Sequence, residues 1–145
     1  MARGYCGSSA PSMREYNGGM NDKQPRIILW CDDLYFTSRI ERVAETVGCD
    51  VLYSSGDQAP SEFVAQLADN PPALIVLDMN VSLLPWEEWM RALKSDTRTA
   101  AIPVIAFGSH KDVDAMKAAK QAGADQVLAK SRFVDEFPRL LSNAL

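Results

Sequence analysis

A doubly wound α/β domain, with five parallel strands and helices on both faces, is the fold class the sequence predicts. Three observations carry it. From Arg26 onward, short apolar runs alternate with longer amphipathic ones, five of each, the pattern of a parallel sheet built from strand–helix–strand units. Three of the short runs are apolar almost throughout: Ile27-Ile28-Leu29-Trp30, Leu74-Ile75-Val76-Leu77 and Ile102 to Phe107. Strands covered on both faces read that way. Finally, 145 residues hold one domain of ordinary size and no second one.

Taken in order, the first strand covers Arg26–Cys31, and a helix follows with Ile40, Val43, Ala44 and Val47 on its apolar stripe. Gly48 closes that helix where a left-handed cap is wanted. The second strand is Asp50–Ser54, and Pro60-Ser61 opens a helix marked by Phe63, Val64, Leu67 and Ala68. Pro71-Pro72 leads into the third strand, Ala73–Asp78. Trp86, Trp89, Met90 and Leu93 mark the third helix, with Glu87-Glu88 in its first turn, where the helix dipole favours acids. Ile102–Phe107 is the fourth strand. Val113, Met116, Lys117 and Ala119-Lys120 outline a weaker helix that ends at Gly123. Asp125–Ala129 is the fifth strand, and Phe137, Leu140, Leu141 and Leu145 mark the last helix. Pro138 would break a helix interior but is tolerated in a first turn. The last helix is therefore expected to be short and to begin near Asp135 or Glu136.

Residues 1–24 differ from the rest. Gly4, Gly7, Gly18 and Gly19, with Ser8, Ser9, Ser12, Pro11, Asn17 and Asn21, give no period and few apolar anchors. Such a segment cannot bury enough surface to offset its ordering entropy, so a disordered tail is expected over 1–24 and the domain over 25–145. Met20 opens the domain-like stretch and is an alternative translation start. Net charge is −4, and the tail holds Arg3, Arg14 and Lys23 against Glu15 and Asp22. The whole acidic excess therefore falls on the domain, which argues against direct nucleic-acid binding. No apolar run approaches the roughly 20 residues of a membrane span, and no secretory h-region opens the chain. Cys6, Cys31 and Cys49 form no CxxC pair, so neither a disulfide framework nor a zinc site is expected. Cys31 reads as a small buried hydrophobe. Together these features predict a reduced, cytoplasmic protein.

Ligands of an open α/β sheet bind beyond the carboxyl ends of its strands. Asp32 and Asp33 follow the first strand, Asp78 ends the third with Met79-Asn80 beyond it, Gly108, Ser109 and His110 follow the fourth, and Lys130 and Ser131 the fifth. Three carboxylates and an ammonium are thus expected on one edge, an oxygen-rich pocket of the kind that suits Mg²⁺. His110 reads as a solvated loop residue. Ser109 is either part of a helix N-cap region or a phosphate contact. Trp86 and Trp89 read as core, with an exposed partner-binding patch, shared with Leu83 and Leu84, as the alternative.

These residues resemble the receiver domains of two-component response regulators, whose strand order is 2-1-3-4-5. The resemblance runs from about Arg26 to Leu145. Asp32-Asp33 match the acidic pair, Asp78 the phosphoacceptor, Asn80 the residue whose backbone carbonyl helps hold the metal, and Lys130 in Val127-Leu128-Ala129-Lys130 the lysine after the fifth strand. Ile102-Pro103-Val104-Ile105 and Ala122-Gly123-Ala124-Asp125 also match. The resemblance implies an aspartyl phosphate formed on Asp78 from a sensor histidine kinase or phosphotransfer protein. It implies Mg²⁺ on Asp33, Asp78 and the Asn80 carbonyl, with Asp32 acting mainly through water, and Lys130 on a phosphoryl oxygen. Output would pass through a downstream protein partner.

The chain also departs from the receiver pattern. The hydroxyl residue that contacts the phosphoryl group falls on Gly108, and the aromatic switch residue on Val127. The proline after the lysine is Ser131, and the proline and glycine after the phosphoacceptor are Ser82 and Trp86. The expectation is an atypical stand-alone receiver that is a switch and not an enzyme. The alternative is a phosphorylation-independent pseudo-receiver in which Lys130 and Asp78 are permanently paired. Dimerisation through the fourth and fifth helices is left open. A Mg²⁺-dependent phosphohydrolase is disfavoured by Asn80 where that class carries a second aspartate. A nucleotide-binding domain is disfavoured by the glycine-free turn Cys31-Asp32-Asp33-Leu34.

Overall fold

The computed structural model describes residues 24–54, 56–81 and 84–145. Apart from Gln24, the expected tail lies outside the described residues, as do Met20, Ser82 and Leu83. Elements follow in the order β1 (Arg26–Trp30), α1 (Leu34–Thr46), β2 (Asp50–Tyr53), α2 (Pro60–Asp69), β3 (Leu74–Asp78), α3 (Trp86–Ser95), β4 (Val104–Gly108), α4 (Val113–Ala122), β5 (Gln126–Ala129) and α5 (Lys130–Ala144). The strands form one parallel sheet ordered β2-β1-β3-β4-β5. The fold class is the one the sequence predicts.

The two-residue period of the strands divides the core. Ile28, Trp30, Ile75, Leu77, Val104 and Ala106 face one layer, where Phe63, Leu67, Trp89, Met90, Leu93 and Ala119 of α2, α3 and α4 cover them. Ile27, Leu29, Leu74, Val76, Ile105 and Phe107 face the other, beneath Phe36, Ile40 and Ala44 of α1 and Phe133, Phe137, Leu140 and Leu141 of α5. Trp86 and Trp89 are both buried, so the alternative of an exposed tryptophan patch does not hold. Trp89 stacks on Phe63 at 4.9 Å, with Trp30 tilted beside it at 5.4 Å.

Local signals set the helix ends. Asp33 caps α1 and Asp112 caps α4. Pro60 is the first residue of α2, whose Glu62 carboxylate accepts the Ala59 N–H. Gly123 ends α4 at φ 116°, in the left-handed region where a side chain is strained. Lys94, near the end of α3, donates to the carbonyls of Ala100 and Ile102 and to Asp125 Oδ2, which also accepts the Val104 N–H. One ammonium thus fixes the entry into β4.

The last helix corrects the sequence reading. It starts at Lys130, directly after β5, and runs 15 residues with Pro138 in its interior. An interior proline costs about 3 kcal/mol. Burial of Phe133, Phe137, Leu140 and Leu141 offsets that, at roughly 1.5–3 kcal/mol per side chain. Phe133 lies before the start expected from the sequence, and its place in the core extends the helix forward. Pro138 itself is exposed.

Candidate functional site

The carboxyl ends of β1, β3, β4 and β5 form the edge where the candidate residues gather. Asp78 is the last residue of β3 and only 2% exposed. Its Oδ1 accepts the Asn80 N–H at 2.9 Å, and its Oδ2 accepts the Cys31 S–H at 3.5 Å. Burial pushes its pKa above the ordinary carboxylate value. The Asn80 N–H, the Cys31 thiol and the positive charge of Lys130 pull it back, while the negative charge of Asp32 raises it further.

Cys31 is the contact that the sequence reading missed. It is half-buried, and burial pushes its thiol up to about 12. The protonated sulfur has one hydrogen and two acceptors in reach, Asp78 Oδ2 and, at 3.8 Å, the Asp33 carbonyl. The signal was present in strand pairing: β1 and β3 run in register through Trp30 and Leu77, which puts Cys31 beside Asp78 one step later.

The two acids after β1 have different tasks. Asp33 Oδ1 accepts the Tyr35 N–H at 2.9 Å and caps α1, while Asp32 is exposed and its charge reaches Asp78. Among the described residues no three His, Cys, Asp or Glu side chains lie close enough to hold a metal together. The three carboxylates expected at this edge are thus not gathered into one ligand group in this structure, in which Asp33 Oδ1 serves the cap of α1. Asp32, Asp78 and the Asn80 carbonyl remain as oxygen donors. Their chemistry fits Mg²⁺, which takes one or two carboxylates and keeps several waters.

Lys130 opens α5, with Nζ 5.3 Å from the centroid of the Phe36 ring. It makes no ion pair with Asp78, so the permanently locked pair is not present. Ser109 is half-buried in the turn before α4, where its hydroxyl accepts the Lys111 N–H at 3.2 Å. The cap of α4 is Asp112. His110 is exposed, as expected for a solvated loop residue.

Gly108 faces Met79. A Cβ built on Gly108 would lie 2.7 Å from the Met79 terminal methyl, so the thioether fills the space a side chain on β4 would occupy. Val127, half-buried, packs on the layer beneath α3 and α4. Gly108→Thr is expected to lower stability by about 1–3 kcal/mol through overpacking. Adding Met79→Ala should recover part of that loss in thermal melts. A single variant as stable as the wild type would contradict the packing described.

The same architecture recurs among solved response regulators. One from Hahella chejuensis is 20% identical, with a TM-score of 0.67 over 83% of this chain and 95% of that one. The chemotaxis response regulator CheY4 of Vibrio cholerae is 15% identical, with a TM-score of 0.64 over 85% of this chain and all of that one (100%). This chain has the receiver fold. A receiver domain of a Pseudomonas aeruginosa sensor histidine kinase, solved with a magnesium ion coordinated in its active-site cleft, is 20% identical with a TM-score of 0.65, over 83% of this chain and 96% of that one. No protein-family model and no curated protein matches the sequence. The receiver likeness is thus carried by the fold. No helix among the described residues is long and apolar enough to cross a membrane.

Proposed function

We propose that the protein is an atypical receiver that accepts a phosphoryl group on Asp78 and signals through protein contacts. One observation carries this reading: a carboxylate buried at the end of β3 has both oxygens held, by the Asn80 N–H and the Cys31 S–H, with Lys130 close enough to act on its charge. Held in this way, the carboxylate is preorganised as a nucleophile.

In the proposed reaction an Asp78 oxygen forms a bond to the phosphorus of a phosphohistidine on a sensor histidine kinase or phosphotransfer protein. The P–N bond breaks, and the imidazole nitrogen leaves with the electron pair and takes up a proton. Lys130 moves off the Phe36 ring to pair with a phosphoryl oxygen. Asp32, Asp33, Asp78 and the Asn80 carbonyl are the oxygen donors that would hold Mg²⁺, which would supply charge neutralisation for the transfer. The chain then acts as a cytoplasmic switch for a downstream protein, with neither enzymatic output nor nucleic-acid contact of its own.

The absence of a hydroxyl at Gly108 and the seating of Met79 there favour a readout that does not run through β4. Incubation with acetyl phosphate and Mg²⁺, followed by intact mass, tests the proposal. Wild type should gain one phosphoryl group and Asp78→Asn none. Equal gain in both, or no gain in wild type, would overturn it.

A further inference from the structure

Lys130 follows β5 and opens α5, half-buried at the edge that holds Asp78. Its charge acts on the Asp78 carboxyl, yet the two side chains form no ion pair. The ammonium stands over the Phe36 ring instead, 5.3 Å from the centroid, within reach of a cation–π contact. That ring is fixed in place. Asp33 caps α1 through the Tyr35 N–H, which puts Phe36 in the first turn of the helix, where it is only 8% exposed. Phe107, next to last in β4, lies 5.1 Å from it, and Tyr35 meets it edge-to-face at 5.2 Å.

We propose that Phe36 is a positioning residue: its ring parks Lys130 away from Asp78 and so keeps the carboxylate open to a divalent cation. This role rests on the reading of Asp78 and Lys130 as parts of one site, and it adds a residue that acts only through Lys130. An ammonium paired with Asp78 would have to be displaced before a metal could bind there, whereas a parked one leaves the oxygens free. The hold is also weak by construction. Phe36 and Lys130 both stand in the first turn of a helix, where the dipole disfavours a cation, so a new anion nearby draws the ammonium away. A phosphoryl group on Asp78 is such an anion. An aliphatic side chain at position 36 would fill much of the same space but offer the ammonium no π face, and Lys130 would turn to Asp78.

Two measurements on the full chain test this. Proton NMR reads the parking directly: the ring current should shift the Lys130 ε-methylene protons upfield of those of exposed lysines, and Phe36→Leu should return them. Mg²⁺ affinity, followed by amide shifts during titration, reads the consequence. Phe36→Leu should lower it by about threefold or more, while Phe36→Tyr should hold it near wild type. In a Lys130→Met background, Phe36→Leu should leave the affinity unchanged, whereas a merely structural defect would lower it in either background. Circular dichroism checks that each variant folds, and the wild-type shift needs no variant. No upfield shift in wild type, no loss of affinity in Phe36→Leu, or an equal loss in both backgrounds would overturn the proposal. The upfield shift and the coupled loss, in a protein that takes no phosphoryl group from acetyl phosphate, would support the parking while overturning Asp78 as phosphoacceptor.

Discussion

Trp89→Ala is expected to lower the free energy of unfolding by about 3–5 kcal/mol, a large share of the roughly 5–15 kcal/mol that holds a domain together. The side chain is wholly buried, stacks on Phe63 and tilts against Trp30. Its Nε1–H donates to the Gln58 carbonyl at 3.1 Å. Truncation leaves a cavity at the centre of the α2–α3 layer and takes a donor from that carbonyl. Trp89→Phe keeps a ring in the stack and should cost less. Denaturant unfolding of both variants checks the order, and a loss below about 1 kcal/mol for Trp89→Ala would contradict the packing.

Asp78→Asn is expected to raise the melting temperature at neutral pH, because it removes a buried charge. Burial is the cause, because it holds the folded carboxyl pKa above the ordinary 3.8. The folded state therefore binds the proton more tightly than the unfolded state. The stability this group contributes is fully present below the unfolded value and is lost as pH rises through the folded one. The advantage of Asn should accordingly be small near pH 3, grow through that window and level off above it. Melts of both proteins across the range measure the gap. A gap independent of pH would show that burial does not set the stability of Asp78.

The fold was legible because its signals are local. Continuous apolar runs at Ile27, Leu74 and Ile102 mark strands covered on both faces, and Gly48 and Gly123 mark helix ends, both at positive φ in the structure. The start of α5 was less legible, since Pro138 is a strong local signal and Phe133 acts through tertiary packing that no period reveals. At the site, strand ends alone placed Asp32, Asp78 and Lys130 on one edge. Side-chain partners were not legible: Asp33 Oδ1 caps α1 through a hydrogen bond to the Tyr35 N–H, and Met79 fills the space at Gly108 with its terminal methyl. Cys31 read as a plain hydrophobe because its role comes from a neighbouring strand.

Chemical trapping distinguishes Asp78 from Asp32 and Asp33 as the proposed nucleophile. An acyl phosphate is reduced by borohydride to an alcohol, which converts a phosphorylated aspartate to homoserine. After incubation with acetyl phosphate and Mg²⁺, reduction and proteolysis, tandem mass spectrometry should find homoserine at position 78 and at neither Asp32 nor Asp33. The signal should vanish when Mg²⁺ is chelated. Aspartate unchanged at position 78 in a protein that has taken up a phosphoryl group, or homoserine at Asp32 or Asp33, would contradict the account.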